Sequence, residues 1–185
     1  MLNNIKPDAG KLLISEPFMA DPNFKRSVVY LTEHNEKGSV GFVLNQKTDL
    51  TLNSLVDEVD DTEFPVYIGG PVGNDSLHYI HTIEELDGSV PVGNGVFWGG
   101  NFELLKIMIQ AGKVDQSEIR FFIGYSGWGE TQLQDELSEN AWLVAESKKE
   151  FIFGDNDRAL WAHAIKSLGD KFAMIVNFPE NPRFN

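Results

Sequence analysis

The run Ile119-Arg120-Phe121-Phe122-Ile123-Gly124-Tyr125 is apolar on both alternating faces. A strand of that kind must be covered on both sides, so it predicts a central strand in a layered molecule. The chain has 185 residues, 42% of them apolar, and at that length a fold buries roughly two-thirds of its surface. No linker, repeat or low-complexity tract marks a boundary, so one domain over residues 1–185 is expected.

Strand patterns dominate the first half. Lys11-Leu12-Leu13-Ile14-Ser15, Arg26–Glu33 and Ser39–Leu44 are strand candidates, the last two joined as a hairpin through a turn at His34–Gly38. Between the first two, Pro17–Phe24 carries two prolines and predicts an ordered loop. Leu52, Leu55, Val56 and Val59 have helical spacing, predicting a short amphipathic helix over 51–59. The acidic residues Asp60–Glu63 then predict a solvated turn. Pro65–Val72 reads as a strand ending in a glycine turn, and Leu77–His81 as another strand. A helix is expected over 101–111, capped by Asn101 and ended by Gly112. Further helices are expected over Glu130–Glu139 and from Asp155 or Asn156 to Gly169, with a strand at Trp142–Ala145 and an edge strand at Phe172–Val176. Hairpins early and mixed elements later argue for an α+β fold rather than a doubly wound parallel sheet.

Charge and composition then exclude whole classes of function. With 28 Asp+Glu against 15 Lys+Arg, the formal charge is −13, opposite to what phosphate-backbone binding needs. No cysteine is present, which removes disulfides, thiolate metal sites and cysteine nucleophiles. The start has no basic region followed by an apolar run, and no apolar stretch nears the ~20 residues that span a bilayer. A soluble cytoplasmic protein without membrane contact is expected.

Gly124-Tyr125-Ser126-Gly127-Trp128 follows a central strand and precedes a helix, the context of a nucleophile elbow. That chemistry requires Gly-x-Ser-x-Gly, and Trp128 stands where the second glycine belongs. A hydrolase using Ser126 is therefore one reading, and a glycine-rich turn with a buried Trp the other. The glycines at 93, 95, 99 and 100 miss the dinucleotide spacing and no Walker-type motif occurs, so turn glycines are expected and no cofactor is implied. His78 and His81 lie three apart in a strand and so face opposite ways, and no ligand spacing involves His34 or His163, so no metal is expected. Gln132 and Glu136, one helical turn apart, form a polar stripe that either orients a ligand near Tyr125 and Trp128, or caps the preceding turn and meets solvent.

One collinear series of motifs runs through Gly10–Ser15 with Pro17-Phe18-Met19, Asp21-Pro22-Asn23-Phe24, Arg26–Val29, Glu33-His34 and Gly41–Asn45. It continues through Gly69-Gly70-Pro71-Val72, Gly124–Trp128, Gln132-Leu133 and Asn140-Ala141-Trp142. On these residues the chain resembles the YqgE/AlgH family of bacterial proteins. Thr131 and Gln134 depart from the Gly and Glu that the family often has there, which weakens a catalytic role for that helix start. The resemblance implies a complex α+β fold with a bifurcated mixed sheet, a small closed barrel and surrounding helices. It implies no assigned activity, although some members carry the label of transcriptional regulator. The family-matching residues are mostly turn-formers and aromatics without a nucleophile–base pair. They point to a non-enzymatic regulatory or binding protein acting through a protein partner or a small ligand. The candidate groove is Arg26, Asn45, Gly70, Tyr125, Trp128 and Gln132. A Ser126 hydrolase and direct DNA contact are the alternatives, the latter opposed by the charge.

Overall fold

The apolar run at 119–125 belongs to a longer strand, β9 (Ile119–Trp128), and the fold is organised about it. The structure, a computed structural model, describes residues 5–59, 63–155 and 157–178. One edge of β9 pairs antiparallel with β6 (Val72–His81). The first half of β9 also pairs parallel with β5 (Pro65–Ile68), and its last residues pair antiparallel with β3 (Gly38–Val43). The sheet therefore forks at β9 and is mixed, as the resemblance implies. One branch continues antiparallel from β3 to β2 (Val28–Asn35), β1 (Lys11–Ser15) and β10 (Trp142–Glu146). Beside the other branch, β5 holds β4 (Lys47–Thr51), while β6 holds β8 (Val96–Trp98) and then β7 (Val90–Gly93).

Helices cover the faces, giving an α+β architecture. α1 (Phe102–Gln110) starts where predicted, with the Asn101 side chain accepting from Leu104 N at 3.1 Å, and ends into Gly112 at φ +66°. α2 (Gln132–Ser138), α3 (Lys149–Phe153), α4 (Asp157–Ser167) and α5 (Asp170–Ala173) follow. Three apolar clusters result. The first packs Tyr30, Phe42 and Phe122 against Phe151–Phe153 and α4. The second packs Phe121, Val66 and Tyr79 against α1. The third packs Leu13, Val29 and Leu31 against Trp128, Trp142 and α2.

Several expectations are corrected. The sheet path runs from β10 to β7 without closing, so the small closed barrel is not formed. Over 51–59 there is a single 3₁₀ turn, Leu52–Ser54. Thr51 belongs instead to β4, opposite Pro65, and Leu55 is exposed, so the apolar face expected of a helix is not buried as one. Phe172–Val176 lies in α5 and a following 3₁₀ turn, with Phe172 packed into the first cluster, and forms no edge strand. His34 is a strand residue opposite Ser39, because the hairpin turns in the two residues Glu36 and Lys37. Of the acidic turn, residues 60–62 lie outside the described residues, as does Asn156.

Gly124 decides which way the end of β9 faces. At φ +68° it occupies the left-handed region, and a Cβ there would lie 2.7 Å from the Val72 carbonyl oxygen. This irregularity breaks the period-two alternation. Phe122 and Tyr125 consequently both face the first cluster, while Trp128 turns to the third.

Candidate binding site

The third cluster opens at one end into a pocket of about 300 Å³. Its back wall is made by Trp128, the last residue of β9, and Trp142, the first of β10, which are 5% and 1% exposed. Their rings meet edge to face, with centroids 5.9 Å apart and planes at 80°. Phe24 completes the aromatic wall, edge-on to Trp142 at 5.4 Å and near-parallel to Trp128 at 6.1 Å. The loop predicted at 17–24 is what brings Phe24 there. It is tied to the start of β10 by Glu16 N donating to Ala141 O at 2.9 Å. It closes on a 3₁₀ turn, Pro22–Phe24, capped by Asp21, whose Oδ1 accepts from Asn23 N at 2.9 Å. Met19, Asp21, Pro71 and Gly127 complete the rim.

Glu136 and Asp21 are the charged groups of this pocket, and Glu136 is the one its aromatic walls hold. α2 buries Leu133 and Leu137, and the 3.6-residue period then puts Gln132 and Glu136 together on the pocket side. Both indole N–H groups donate to Glu136 Oε2, Trp128 at 2.9 Å and Trp142 at 2.7 Å. Gln132 Nε2 donates to Oε1 at 2.9 Å, while Gln132 Oε1 accepts from Gly129 N at 3.1 Å. Gln132 thus caps the preceding turn and reaches the carboxylate at once, and Glu136 is held half-buried among indoles rather than solvated.

The six candidate groove residues do not share one pocket. Trp128 and Gln132 line it. Gly70 lies behind it, where a Cβ would come within 2.3 Å of Tyr125 O and 2.4 Å of Ser126 Oγ, so close backbone approach explains that glycine. Tyr125 faces the other way, edge-on to His78 at 5.7 Å. Asn45 staples the strand end, donating to Arg26 O at 2.9 Å and accepting from Val28 N at 3.0 Å. Arg26, at φ +48°, lies 4.8 Å over the Trp161 ring and donates to Phe178 O. Phe24, Trp142, Met19 and Asp21 are among the lining residues missing from that set, although the motif segments already contained them.

Ser126 is a strand residue paired with Gly41, fully buried, and its hydroxyl donates to Gly69 O at 2.9 Å. It is not at an exposed turn, which is what a nucleophile elbow requires. His78 and His81 do face opposite clusters, His78 against Phe42 of the first and His81 against Tyr79 of the second. Among the described residues no three His, Asp or Glu are grouped to hold a metal ion.

A second cavity, about 270 Å³, lies at the other end of β9 around Arg120 and Tyr67. The Arg120 guanidinium donates to Leu44 O at 2.7 Å and Gly154 O at 2.6 Å, sits 4.3 Å over the Tyr67 ring and is 3.9 Å from Asp157 Oδ1. Burial pulls its pKa down, opposed by the negative charge of its neighbours; burial likewise pushes the Tyr67 phenol up to about 12. Every contact of this charge is supplied by the chain.

Residues 12–173 match the model of the AlgH-like family. The chain belongs to that family. A UPF0301 protein from Cytophaga hutchinsonii is 43% identical over 178 residues, covering 95% of this chain and 98% of its own. A UPF0301 protein from Bacteroides thetaiotaomicron is 41% identical over 185 residues, covering 99% and 94%. The solution structure of the AlgH protein from Pseudomonas aeruginosa superposes with a TM-score of 0.72 at 28% identity, covering 96% and 98%. The crystal structure of protein DIP2367 from Corynebacterium diphtheriae reaches 0.81 at 22% identity, covering 96% and 95%, and shares the fold. These names state no activity, substrate or binding partner.

Proposed function

We propose that this AlgH-like chain is a non-enzymatic regulatory protein of the cytoplasm that works by binding, and that its site is the indole-walled pocket. The observation that carries the reading is convergence. The segments around 17–24, 69–72, 124–128, 132–133 and 140–142, far apart in the chain, supply most of the lining of one cavity. That cavity combines apolar walls with a few convergent polar groups, the usual composition of a ligand site. It contains a carboxylate but no nucleophile paired with a base, which favours binding over covalent chemistry. Its volume suits a small ligand or one side chain of a protein partner. The net charge of −13 speaks against DNA as that partner. Among the described residues no helix is long and apolar enough to cross a membrane.

The test uses the indole N–H resonances of the four tryptophans in ¹⁵N-labelled protein. Bacterial extract is divided into a small-molecule fraction and a protein fraction, and each is titrated in. The expected result is that one fraction moves Trp128 and Trp142 while Trp98 and Trp161 stay in place. Perturbation confined to Trp98, Trp161 or other surfaces would defeat the site assignment.

A further inference from the structure

We infer that the pocket selects an organic cation, an alkylated ammonium or guanidinium group, an inference that rests on the pocket being the binding site. Three observations lead there. Glu136 receives all its hydrogen bonds from neutral donors, two indoles and one amide, and among the described residues no Lys, Arg or His lies within ion-pair distance of it. No cationic residue lines the cavity, whereas Asp21 adds a second carboxylate at its rim. The remaining walls are Trp128 and Trp142, 5% and 1% exposed, and half-buried Phe24; Phe24 is the ring most open to a cation, which aromatic rings attract.

The same geometry disfavours other occupants. Oε1 of Glu136 holds only the bond from exposed Gln132, and Glu136 lines the cavity. A cation there supplies the countercharge that no described residue provides. An anion would meet two carboxylates, and an uncharged apolar group would leave the charge of Glu136 uncompensated beside it. The two indole N–H bonds fix that charge in the wall, so the site is preorganised for a positive group and need not rearrange to hold one.

The probes are choline, its uncharged carbon isostere 3,3-dimethylbutan-1-ol, and the anion pivalate, read on the Trp128 and Trp142 indole resonances and by calorimetry. Choline is expected to bind at least tenfold more tightly than the isostere, and pivalate not to bind. Agmatine and an arginine-containing peptide form a second arm: tighter binding of the peptide assigns the cation to a protein side chain, and equal or weaker binding assigns it to a free amine. Glu136→Gln is expected to weaken choline at least tenfold while leaving the isostere unchanged. Should that variant fold poorly, Asp21→Asn at the exposed rim is expected to weaken choline about twofold, as a screened surface charge does. Equal binding of choline and its isostere, or binding of pivalate, overturns the inference while leaving the pocket as a site. If neither these probes nor any extract fraction moves the two indoles, the pocket reading falls as well.

Discussion

Two charged groups are sunk into this fold within one sheet system, and they are treated in opposite ways. Arg120, near the start of β9, is 4% exposed and closed off by two carbonyls, a phenol face and Asp157. Glu136, packed at the end of β9, is half-buried and held only by neutral donors. The first arrangement is complete and joins Leu44, just after β3, to the turn between α3 and α4. The second leaves a charge without a counterpart at the mouth of a cavity. A buried charge whose partners all belong to the chain stabilises architecture; one that lacks a countercharge is available to something else.

The largest effect expected is at the wall that separates the two situations. Trp142→Ala removes a wholly buried indole and should cost about 3–5 kcal/mol in urea unfolding. The comparison itself is tested by the next two variants. Arg120→Met strands two carbonyls and Asp157, and should cost about 3 kcal/mol. Glu136→Gln keeps an acceptor for the indoles and should cost about 1 kcal/mol or less. If the two costs were equal, Glu136 would be as structural as Arg120 and the contrast would fail.

The smallest effect concerns a buried group that stays neutral. His81 Nδ1 accepts from Ile83 N at 3.1 Å, so the proton sits on Nε2, 2.8 Å from Gly99 O. Burial lowers its pKa, outweighing the Gly99 hydrogen bond that raises it. The folded state therefore binds this proton less readily than the unfolded chain. Stability from His81 is full above the ordinary imidazole value of about 6.5 and declines as pH falls through the lower folded value, by at most about 1.4 kcal/mol per pH unit. Thermal unfolding of His81→Gln should show a shallower decline below that pH than the unaltered chain; identical slopes would remove His81 as the cause.

Local signals carried much of the fold. β9 was legible because Phe121 and Phe122 face two different cores, and α1 because Asn101 and Gly112 cap it within the same short window. The 51–59 segment was misread because its helical spacing competes with pairing to β5, a contact invisible at short range. The candidate site was legible in its parts and not in its assembly. Trp128, Gln132 and Glu136 are neighbours along the chain, but Phe24 and Trp142 arrive from strands and loops more than a hundred residues apart. Tyr125 was placed with Trp128 because both belong to the Gly124–Trp128 motif, and only the assembled clusters separate them, Tyr125 turning to the first and Trp128 to the third.

Gly124 also limits how the chain can change in length. The four residues after it carry Tyr125 to one side and Trp128 to the other, with Ser126 locked on Gly69 between them. Inserting or deleting one residue in 125–128 exchanges those sides, driving the pocket's wall toward the central core and emptying its place beside Glu136. Length variation among relatives should therefore spare this stretch and gather in exposed connections such as the hairpin turn at Glu36 and Lys37.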